Sequence, residues 1–372
     1  MSLDGLDHEH VEIHNDPETG LLSVVAVHST ALGPAMGGVR CTSYLSLGDA
    51  VADALRLSRA MTIKNCLAGL PLGGGKSVIV DTGSGLSDAA LDAFATQLQR
   101  LGGLYVAAED IGTTPADMDR LAARTRWVAG RSPQHGGSGD PSPATARTVL
   151  CAIEHAQRVL SGSQRLAGTR VGVVGVGKVG SRLVALLRER GAEVLLSDLD
   201  AQRASEVAEV NGASMWPVHE LLGAELDILA PCAKGGLINE EDVASLRARV
   251  VCGAANNILE YDGLAKVLAD AGVLYVPDFL ANAGGAIQVA GEFLGWSDAQ
   301  IQVTQQRSSA LVRFVLEEAA ASGQLPLNIA LACASQRLSE QTAATDRARQ
   351  AGPLPSTGAH SRSNASAVAE VT

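Results

Sequence analysis

Two lysines in the first third of the chain have the residue pattern best suited to acid–base chemistry. Lys64 lies in MTIKN (61–65), and twelve residues later Lys76 follows three glycines in GGGKS (73–77). Because glycine has no Cβ, backbone and ligand can pack closely around one ammonium group, and burial would lower the pKa of Lys76 toward that of a useful base. Lys64 offers a second cation, which suits a carboxylate on a substrate.

A pair of acids follows at the end of a predicted buried strand. Glu109 and Asp110 stand in AAEDIGTT (107–114). A carboxylate at this position can accept a proton or hold an ammonium group. A helix N-cap or turn acid is the alternative interpretation for one of the pair, and also for Asp117.

The segment GGGKS (73–77) also imitates the end of a phosphate-binding loop, G-x-x-x-x-G-K-[S/T]. That loop requires a glycine five residues before Gly75, where this chain has Leu70. The loop also follows a strand, whereas a helical pattern containing Lys64 precedes it here. An ATP-binding protein is therefore kept only as an alternative.

A second glycine-rich segment, GVGKVG (175–180), predicts a dinucleotide site. An apolar strand (171–174) precedes it, a helical pattern follows it, and the next strand (194–197) ends in Asp198. Such a βαβ unit places a pyrophosphate at the helix N-terminus and an acid at the ribose hydroxyls. A carboxylate at Asp198 would repel a 2′-phosphate and favours NAD, although Arg203 leaves tolerance of NADP open.

The elements that must position these residues divide the chain into two parts. The first 140 residues mix strands and helices: a hairpin (10–28), a helix after Ser46, strands at 77–80 and 104–108, and a helix at 87–101. The segment SPQHGGSGDPSP (132–143) is typical of a domain boundary. Beyond it, short apolar runs about 20 to 30 residues apart alternate with helical patterns, which indicates a doubly wound parallel sheet.

Composition excludes several classes of protein. The 372 residues include 29 Lys plus Arg against 40 Asp plus Glu, a net charge of −11, which argues against nucleic-acid or membrane-surface binding. Six cysteines without a CxxC pair predict neither a zinc site nor a disulfide framework, and we expect no metal. No apolar run of 18 residues is present, so we expect a cytoplasmic protein.

Eight segments, in the same order, resemble the amino-acid dehydrogenases of the leucine, valine, phenylalanine and glutamate type. The similarity extends from about residue 29 to 299, which is most of the chain. The segments are GPAMGGVR (33–40), MTIKN with LGGGKSVI, AAEDIGTTPADMD, GRSPQHGGSGDPSPATA, GVGKVG, APCAKGG (230–236), VCGAANN (251–257) and PDFLANAGGAIQVA (277–290).

The resemblance implies roles for particular residues. Lys64 would hold the substrate α-carboxylate, Lys76 would activate the water that attacks the imine, and Asp110 would bind the amino group and relay its proton. Pro141 departs from the pattern, because some relatives have a cofactor-contacting Ser there. The substrate-binding residues implied are Lys64, Gly37, Gly38, Met61, Asn256, Ala108, Ala286 and Val289. The cofactor-binding residues implied are Gly175, Gly177, Lys178, Val179, Gly180, Asp198, Arg203, Thr145, Cys232, Ala233, Ala254, Ala255 and Asn256.

The expected fold is α/β, with two domains separated by a cleft. A mixed-sheet α/β domain (1–140) would bind substrate and oligomerise, and a C-terminal helix (about 326–347) would complete it. A Rossmann-type domain (141–325) would bind NAD, and the tail (352–372) would be disordered.

The expected activity is reversible, NAD-dependent oxidative deamination of an apolar L-amino acid to a 2-oxo acid and ammonium by a homo-oligomer. Leu70, Leu72, Ala108, Ala286 and Val289 are apolar, whereas a glutamate site needs a further cation. The segment that contains Ala108, AEDIGTT, resembles that of the leucine and valine enzymes. Ala286 is smaller than the valine common in those enzymes, so it would widen the pocket enough to favour phenylalanine. The alternative classes are a non-catalytic, NAD-responsive binding protein on the same scaffold and the ATP-binding protein described above.

Overall fold

The computed structural model describes residues 7–83, 85–233 and 235–350, and the predicted disordered tail (352–372) lies outside these residues. The described chain forms two β-sheets, each covered by helices. The first part consists of β1 (His10–Asp16), β2 (Leu21–Ser29), β3 (Ala35–Thr42), α1 (Leu47–Leu67), β4 (Gly73–Val80), α2 (Asp88–Arg100), β5 (Tyr105–Glu109) and α3 (Pro115–Ala122).

The first sheet is mixed, as the sequence predicts. Its strand order is β1-β2-β4-β3-β5, with β1–β2 and β2–β4 antiparallel and β3–β4 and β3–β5 parallel. One face packs on α2 and α3 around the buried Phe94 and Tyr105, and the other face packs on α1 through Ala50 and Ala54. Burying both faces explains why β2 and β4 are almost continuously apolar or glycine-rich.

The long helix α1 places Lys64 in its last turn. Ser46 is its N-cap, and its side chain accepts a hydrogen bond from the Asp49 backbone N–H. Such caps satisfy backbone donors that the first turn leaves free. The end of α1 is held by the side chain of Asn65, which donates to the carbonyls of Met36 (3.3 Å) and Gly73 (2.7 Å).

The segment GGGKS (73–77) lies within strand β4 and is not a phosphate-binding loop. Gly73, Gly74, Ser77 and the residues after Ser77 pair with β3 in parallel register. The ATP-binding alternative is therefore wrong, because a phosphate-binding loop needs free backbone N–H groups at a helix N-terminus.

The second sheet is entirely parallel, with strand order β11-β10-β9-β6-β7-β8. Helices cover both of its faces, which confirms the predicted doubly wound arrangement. Its elements are α4 (Ser142–Ser161), β6 (Arg170–Val174), α5 (Lys178–Glu189), β7 (Glu193–Ser197), α6 (Ala201–Asn211), β8 (Ser214–Met215), α7 (Val218–Leu222), β9 (Leu226–Pro231), α8 (Glu240–Ser245), β10 (Ala248–Val251), α9 (Leu264–Asp270) and β11 (Leu274–Tyr275).

Four helices complete the described chain, and the last of them returns to α1. They are α10 (Asp278–Ala281), α11 (Gly284–Leu294), α12 (Asp298–Ser322) and α13 (Pro326–Gln350). In α13, Arg337 Nη1 donates to the backbone carbonyls of Cys66 (3.2 Å) and Leu67 (3.4 Å) at the end of α1. A cation at these carbonyls is favourable because a helix C-terminus carries partial negative charge.

Candidate active site

A cleft of about 500 Å³ brings together side chains from both parts of the chain. Its walls come from β3, α1, β4 and β5 on one side, and from the start of α4, the loop after β10 and the α10–α11 region on the other. Concave sites of this size with a few convergent polar groups are typical of small-molecule binding.

Lys76 and Asp110 form an ion pair inside the cleft. Lys76 extends from β4, Asp110 directly follows β5, and Lys76 Nζ donates to Asp110 Oδ2. Gly38 on β3 lies between them: a Cβ there would be 2.5 Å from the Asp110 Cβ and 3.0 Å from Lys76 Nζ. The absence of a side chain at Gly38 therefore allows the two groups to meet.

The protonation of this pair is set by burial and by neighbouring charges. Burial lowers the pKa of Lys76, whose side chain is only 6% exposed, although the Asp110 carboxylate acts against this effect. Burial alone would raise the pKa of Asp110, but the cations of Lys76 and Arg40 outweigh it and leave that pKa lowered. A lysine with a lowered pKa next to an ionised carboxylate is suited to general-base chemistry.

Lys64 provides a second ammonium group in the cleft, on the same side as Lys76. Its Nζ donates to Asn256 Oδ1 at 2.7 Å, and the same oxygen accepts from Asn282 Nδ2 at 3.0 Å. Burial lowers the pKa of Lys64, although the buried carboxylate of Asp278 opposes this effect. Lys64 thus contacts the other part of the chain through a neutral amide, and its charge can attract an anion from the cleft.

An apolar wall lies beside these polar groups. It includes Ala108 at the end of β5 and Ala286 and Val289 on α11. Leu70 and Leu72, which we expected near the pocket, are instead buried in the core beneath it and do not line the cleft. The wall suits an aliphatic or aromatic group next to the charged end of a ligand.

The glycine-rich turn joins β6 to the N-terminus of α5. Gly175 has φ of 94°, and a Cβ on Gly180 would collide with the Gly175 carbonyl, so the tight turn needs glycine at both positions. Asp198 directly follows the next strand, β7, and accepts from the Val176 backbone N–H at 2.7 Å. The turn leaves open space beside Gly177, which suits the close approach of a phosphate.

The structure sorts the expected site residues into two neighbouring groups. Lys178 at the start of α5 connects them, since its Nζ lies 3.9 Å from Glu109 Oε1. The residues that line the cleft are Gly37, Gly38, Met61, Lys64, Lys76, Ala108, Asp110, Thr145, Val179, Ala254, Asn256, Ala286 and Val289. Those outside the cleft lining are Gly175, Gly177, Lys178, Gly180, Asp198, Arg203, Cys232, Ala233 and Ala255.

Members of the second group meet at the glycine-rich turn. A Cβ on Gly175 would be 2.6 Å from the Ala233 backbone N, and one on Gly180 would be 3.2 Å from the Cys232 Cβ. Arg203 Nη1 lies 3.9 Å from Asp198 Oδ1, and its Nη2 pairs with Asp200 at 2.9 Å. Ala255 is buried and packs in a hydrophobic core with Leu229 and Val251 of the second sheet.

Arg40, Asp278 and Asn282 are among the polar residues of the cleft that sequence reasoning missed. Asp278 and Asn282 are more than nine-tenths buried. Both lie in the largely apolar segment PDFLANAGGAIQVA, where an ionisable residue and an amide are a usable signal.

The described residues contain no group of three or more His, Cys, Asp or Glu side chains placed to hold a metal ion. None of the described helices is both long enough and apolar enough to cross a membrane.

Comparison with family models gives two matches. Residues 8–127 match the model described as "Glu/Leu/Phe/Val dehydrogenase, dimerisation domain". Residues 195–345 match the model described as "Glutamate/Leucine/Phenylalanine/Valine dehydrogenase".

Individual relatives agree with these matches. The chain is 43% identical to a valine dehydrogenase of Streptomyces albus over 347 residues, covering 92% of this chain and 94% of the relative. It is 43% identical to a leucine dehydrogenase of Geobacillus stearothermophilus over 292 residues, covering 78% of this chain and 80% of the relative. The crystal structure of L-tryptophan dehydrogenase from Nostoc punctiforme superposes with a TM-score of 0.78 at 33% identity, covering 91% of this chain and 98% of that one.

Proposed function

The chain belongs to the glutamate, leucine, phenylalanine and valine dehydrogenase family, and we propose that it oxidises a branched-chain L-amino acid with NAD. It is an amino-acid dehydrogenase, an oxidoreductase acting on a CH–NH₂ group, in a family that uses NAD(P). The reaction converts amino acid, water and oxidised nicotinamide to 2-oxo acid, ammonium, reduced nicotinamide and a proton. The ion pair of Lys76 and Asp110, next to Lys64 in one cleft, is the observation that carries the assignment of the site.

Lys64 is assigned to the substrate carboxylate. Its ammonium is hydrogen-bonded only to the neutral amide of Asn256 in the described structure, so its charge remains available to an anion. The backbone of Gly37 and Gly38 would line the same part of the cleft. Holding the carboxylate there orients Cα toward the second part of the chain.

Lys76 and Asp110 are assigned to proton transfer. Neutral Lys76 would take the proton of the water that attacks the substrate imine, and Asp110 would bind the amino group and relay its proton. The lowered pKa of Lys76 supports the first role, and the ionised state of Asp110 supports the second. Water is needed only at this step, so closure of the cleft would favour hydride transfer beforehand.

The apolar wall supports a branched-chain substrate. Ala108, Ala286 and Val289 offer no charge to a side-chain carboxylate, which disfavours glutamate. The relatives named valine and leucine dehydrogenase support an aliphatic side chain. Because one methylene changes kcat/KM by only about 10- to 200-fold, we expect overlapping activity on several apolar amino acids.

The glycine-rich turn and Asp198 fit an NAD pyrophosphate and ribose. The tight turn at the α5 N-terminus leaves room for phosphate oxygens, and the Asp198 carboxylate would accept from ribose hydroxyls and repel a 2′-phosphate. When bound, the nicotinamide accepts the hydride from Cα. Thr145, Asn256 and Ala254 would contact its nicotinamide end, because they line the cleft.

The domain division and assembly are part of the same proposal. Residues 1–140, completed by the helix at about 326–347, would form the substrate domain, and residues 141–325 the NAD domain. The hydrogen bonds from Arg337 to the end of α1 support the placement of that helix. A homo-oligomer is supported by the family description of residues 8–127 as a dimerisation domain.

Absorbance of reduced nicotinamide tests the proposal. The purified chain is assayed with NAD and NADP against valine, leucine, isoleucine, methionine, phenylalanine, tryptophan and glutamate. We expect turnover with NAD and the highest kcat/KM for a branched-chain substrate. NAD binding without turnover of any amino acid would instead support the NAD-responsive binding protein.

The same assay tests the base. We expect Lys76→Ala to lower kcat by about 10³-fold or more, because general-base catalysis contributes about 10² to 10⁴, while the Kd for NAD stays unchanged. The control is Lys266→Ala, which removes an exposed lysine paired with Asp270. A Lys76→Ala variant with near-normal kcat would remove the assignment.

A further inference from the structure

Arg40 approaches the Asp110 oxygen that also accepts from Lys76. It lies near the end of β3, its side chain is 17% exposed, and its Nε is 3.4 Å from Asp110 Oδ2. This Nε is buried and has no hydrogen-bond partner in the described structure. A guanidinium held against a carboxylate without a hydrogen bond acts on it chiefly through charge.

A second carboxylate fixes the orientation of Arg40. Arg40 Nη1 donates to Asp53 Oδ2 at 2.9 Å, and the Tyr44 hydroxyl donates to the same oxygen at 2.7 Å. Arg56 Nη2 pairs with the other oxygen, Asp53 Oδ1, at 2.8 Å. The guanidinium is thus anchored at one end, with its Nε edge close to Asp110.

The chemistry of the pair requires a cation that does not titrate. When Lys76 is neutral, Asp110 is a largely buried carboxylate that has lost the charge of its principal partner. Desolvation then favours protonation of Asp110, which would end its use as a proton acceptor. Arginine keeps its charge at every pH at which the enzyme is folded, whereas lysine does not.

We propose that Arg40 is the permanent counterion of Asp110, a positioning residue that keeps this carboxylate anionic and in place while Lys76 is neutral. The proposal rests on the proposed function, since it concerns the same proton-transfer pair. Arg40 acts through Asp110 and Lys76 and is assigned no contact with substrate.

Other charges surround the pair, and Arg40 differs from all of them. Among the described residues, they come from α1, the end of β5 and the start of α10. They are Lys64, Asp53, Glu109 and Asp278. Each of these can gain or lose a proton, and burial already lowers the pKa of Lys64 and raises that of Asp278 and Glu109. Arg40 is the constant charge in this set.

The direction of the effect follows from the charges. The Arg40 cation lowers the pKa of Lys76 and helps to lower that of Asp110. Removing it should raise both pKa values, so Lys76 would remain protonated up to a higher pH. The Asp53 carboxylate, left with less positive charge, would shift the pKa of Lys76 in the same direction.

The test compares Arg40→Gln, Arg40→Met and Arg40→Lys with Arg56→Met as the matched control. Arg56 also pairs with Asp53, but it is more than half exposed and makes no recorded contact with Asp110. Two quantities are measured against pH: kcat/KM for the best amino acid, and the rate at which acetic anhydride acetylates Lys76, read from peptide masses. Exposed Lys266 in the same digest serves as the reference amine.

We expect both neutral Arg40 variants to shift the acidic limb of kcat/KM and the acetylation midpoint of Lys76 upward together by about one pH unit. Such a shift means about a tenfold loss of kcat/KM at any pH below the limb. Arg40→Lys should restore much of the wild-type profile. Arg56→Met, which removes only an exposed and solvent-screened charge from Asp53, should shift both midpoints much less than the neutral Arg40 variants do. Thermal melting identifies any variant that fails to fold. Arg40→Gln keeps a hydrogen-bond donor to Asp53, so it is the variant expected to preserve the fold best.

Unchanged midpoints with a uniformly lower kcat would overturn the proposal and assign Arg40 a purely structural role. The acetylation of Lys76 can be measured whether or not the protein turns over an amino acid. If no amino acid were turned over, the proposed function would fail, while the acetylation midpoint of Lys76 in the Arg40 variants would still decide the role of Arg40.

Discussion

At the scale of single residues, Lys76 is defined by its surroundings more than by its type. Its side chain is nearly fully buried, it contacts Asp110, and Gly38 leaves the space in which they meet. Burial disfavours the charged form of lysine, and an adjacent carboxylate favours it. Burial is the stronger effect here, which makes the neutral amine available at a lower pH than in water.

This balance predicts the pH dependence of the enzyme. Only neutral Lys76 can accept a proton, so kcat/KM should rise with pH and level off above the pKa of Lys76. Because that pKa is lowered, the midpoint of the rise should lie below 10.5, the ordinary value for lysine. Initial rates between pH 6 and 11, with NAD saturating, give the midpoint. A midpoint at or above 10.5 would contradict the inferred burial effect.

At the scale of elements, β4 shows how neighbours decide the conformation of a glycine-rich segment. A Cβ on Gly75 would be 2.6 Å from the ring of Tyr105, and one on Gly74 would collide with Thr62. The glycines therefore allow β5 and α1 to approach the strand closely. Tyr105 in turn donates to the Gly37 carbonyl at 2.7 Å, so the same packing supports the wall of the cleft.

A methyl group on β3 tests this arrangement. We expect Gly38→Ala to lower kcat/KM by about 100-fold, because its Cβ would displace Asp110 and Lys76, and a shift of about 1 Å near reacting groups can cost that much. Steady-state kinetics and a thermal melt give the two readouts. Gly223→Ala is the control, since a Cβ there meets only ordinary contacts at 3.9 and 4.0 Å and its φ is negative. Full activity of Gly38→Ala would show that the pair need not touch.

At the scale of the whole molecule, α11 connects the two parts of the chain. It follows the second sheet in sequence, yet Ile287 and Ala290 share a core with Met36 and Val106 of the first sheet. On another face, Glu292 is 3% exposed and accepts hydrogen bonds from the loop between the sheets. The donors are the backbone N–H groups of Gly130 (3.0 Å), Arg131 (3.3 Å) and Ser138 (2.8 Å), Arg131 Nε (2.9 Å) and Ser138 Oγ (2.9 Å).

Removing that charge should loosen the connection. In Glu292→Gln an amide NH₂ replaces one acceptor oxygen and faces donors, so we expect the free energy of unfolding to fall by about 1 to 3 kcal/mol. Because Val289 is one turn away on α11, KM should rise more than kcat falls. Denaturant midpoints and kinetics measure both effects. Glu318→Gln, an exposed carboxylate on α12, is the control, and equal midpoints for the two variants would refute the role of Glu292.

The sequence by itself determined the α/β fold class, the parallel second sheet and the glycine-rich turn, and it predicted Lys64, Lys76 and one of Glu109 and Asp110 as site residues. These depend on local patterns: hydrophobic periodicity, glycine spacing and short motifs around each residue. What the sequence left undecided also has a physical reason. The segment around Lys76 was open to two interpretations because nothing local shows which side chains press on its glycines.

Only the tertiary structure decided which of these groups meet. Arg40 joins the cleft from β3, whereas Asp278 and Asn282 join it from the distant α10 region. Leu70 and Leu72, which we expected near the pocket, lie in the core. Contacts between residues 34 or 192 positions apart, such as Lys76 with Asp110 and Lys64 with Asn256, depend on strand register and on helices crossing between sheets. Burial and charge, and therefore every shifted pKa, follow from those contacts and not from residue type alone.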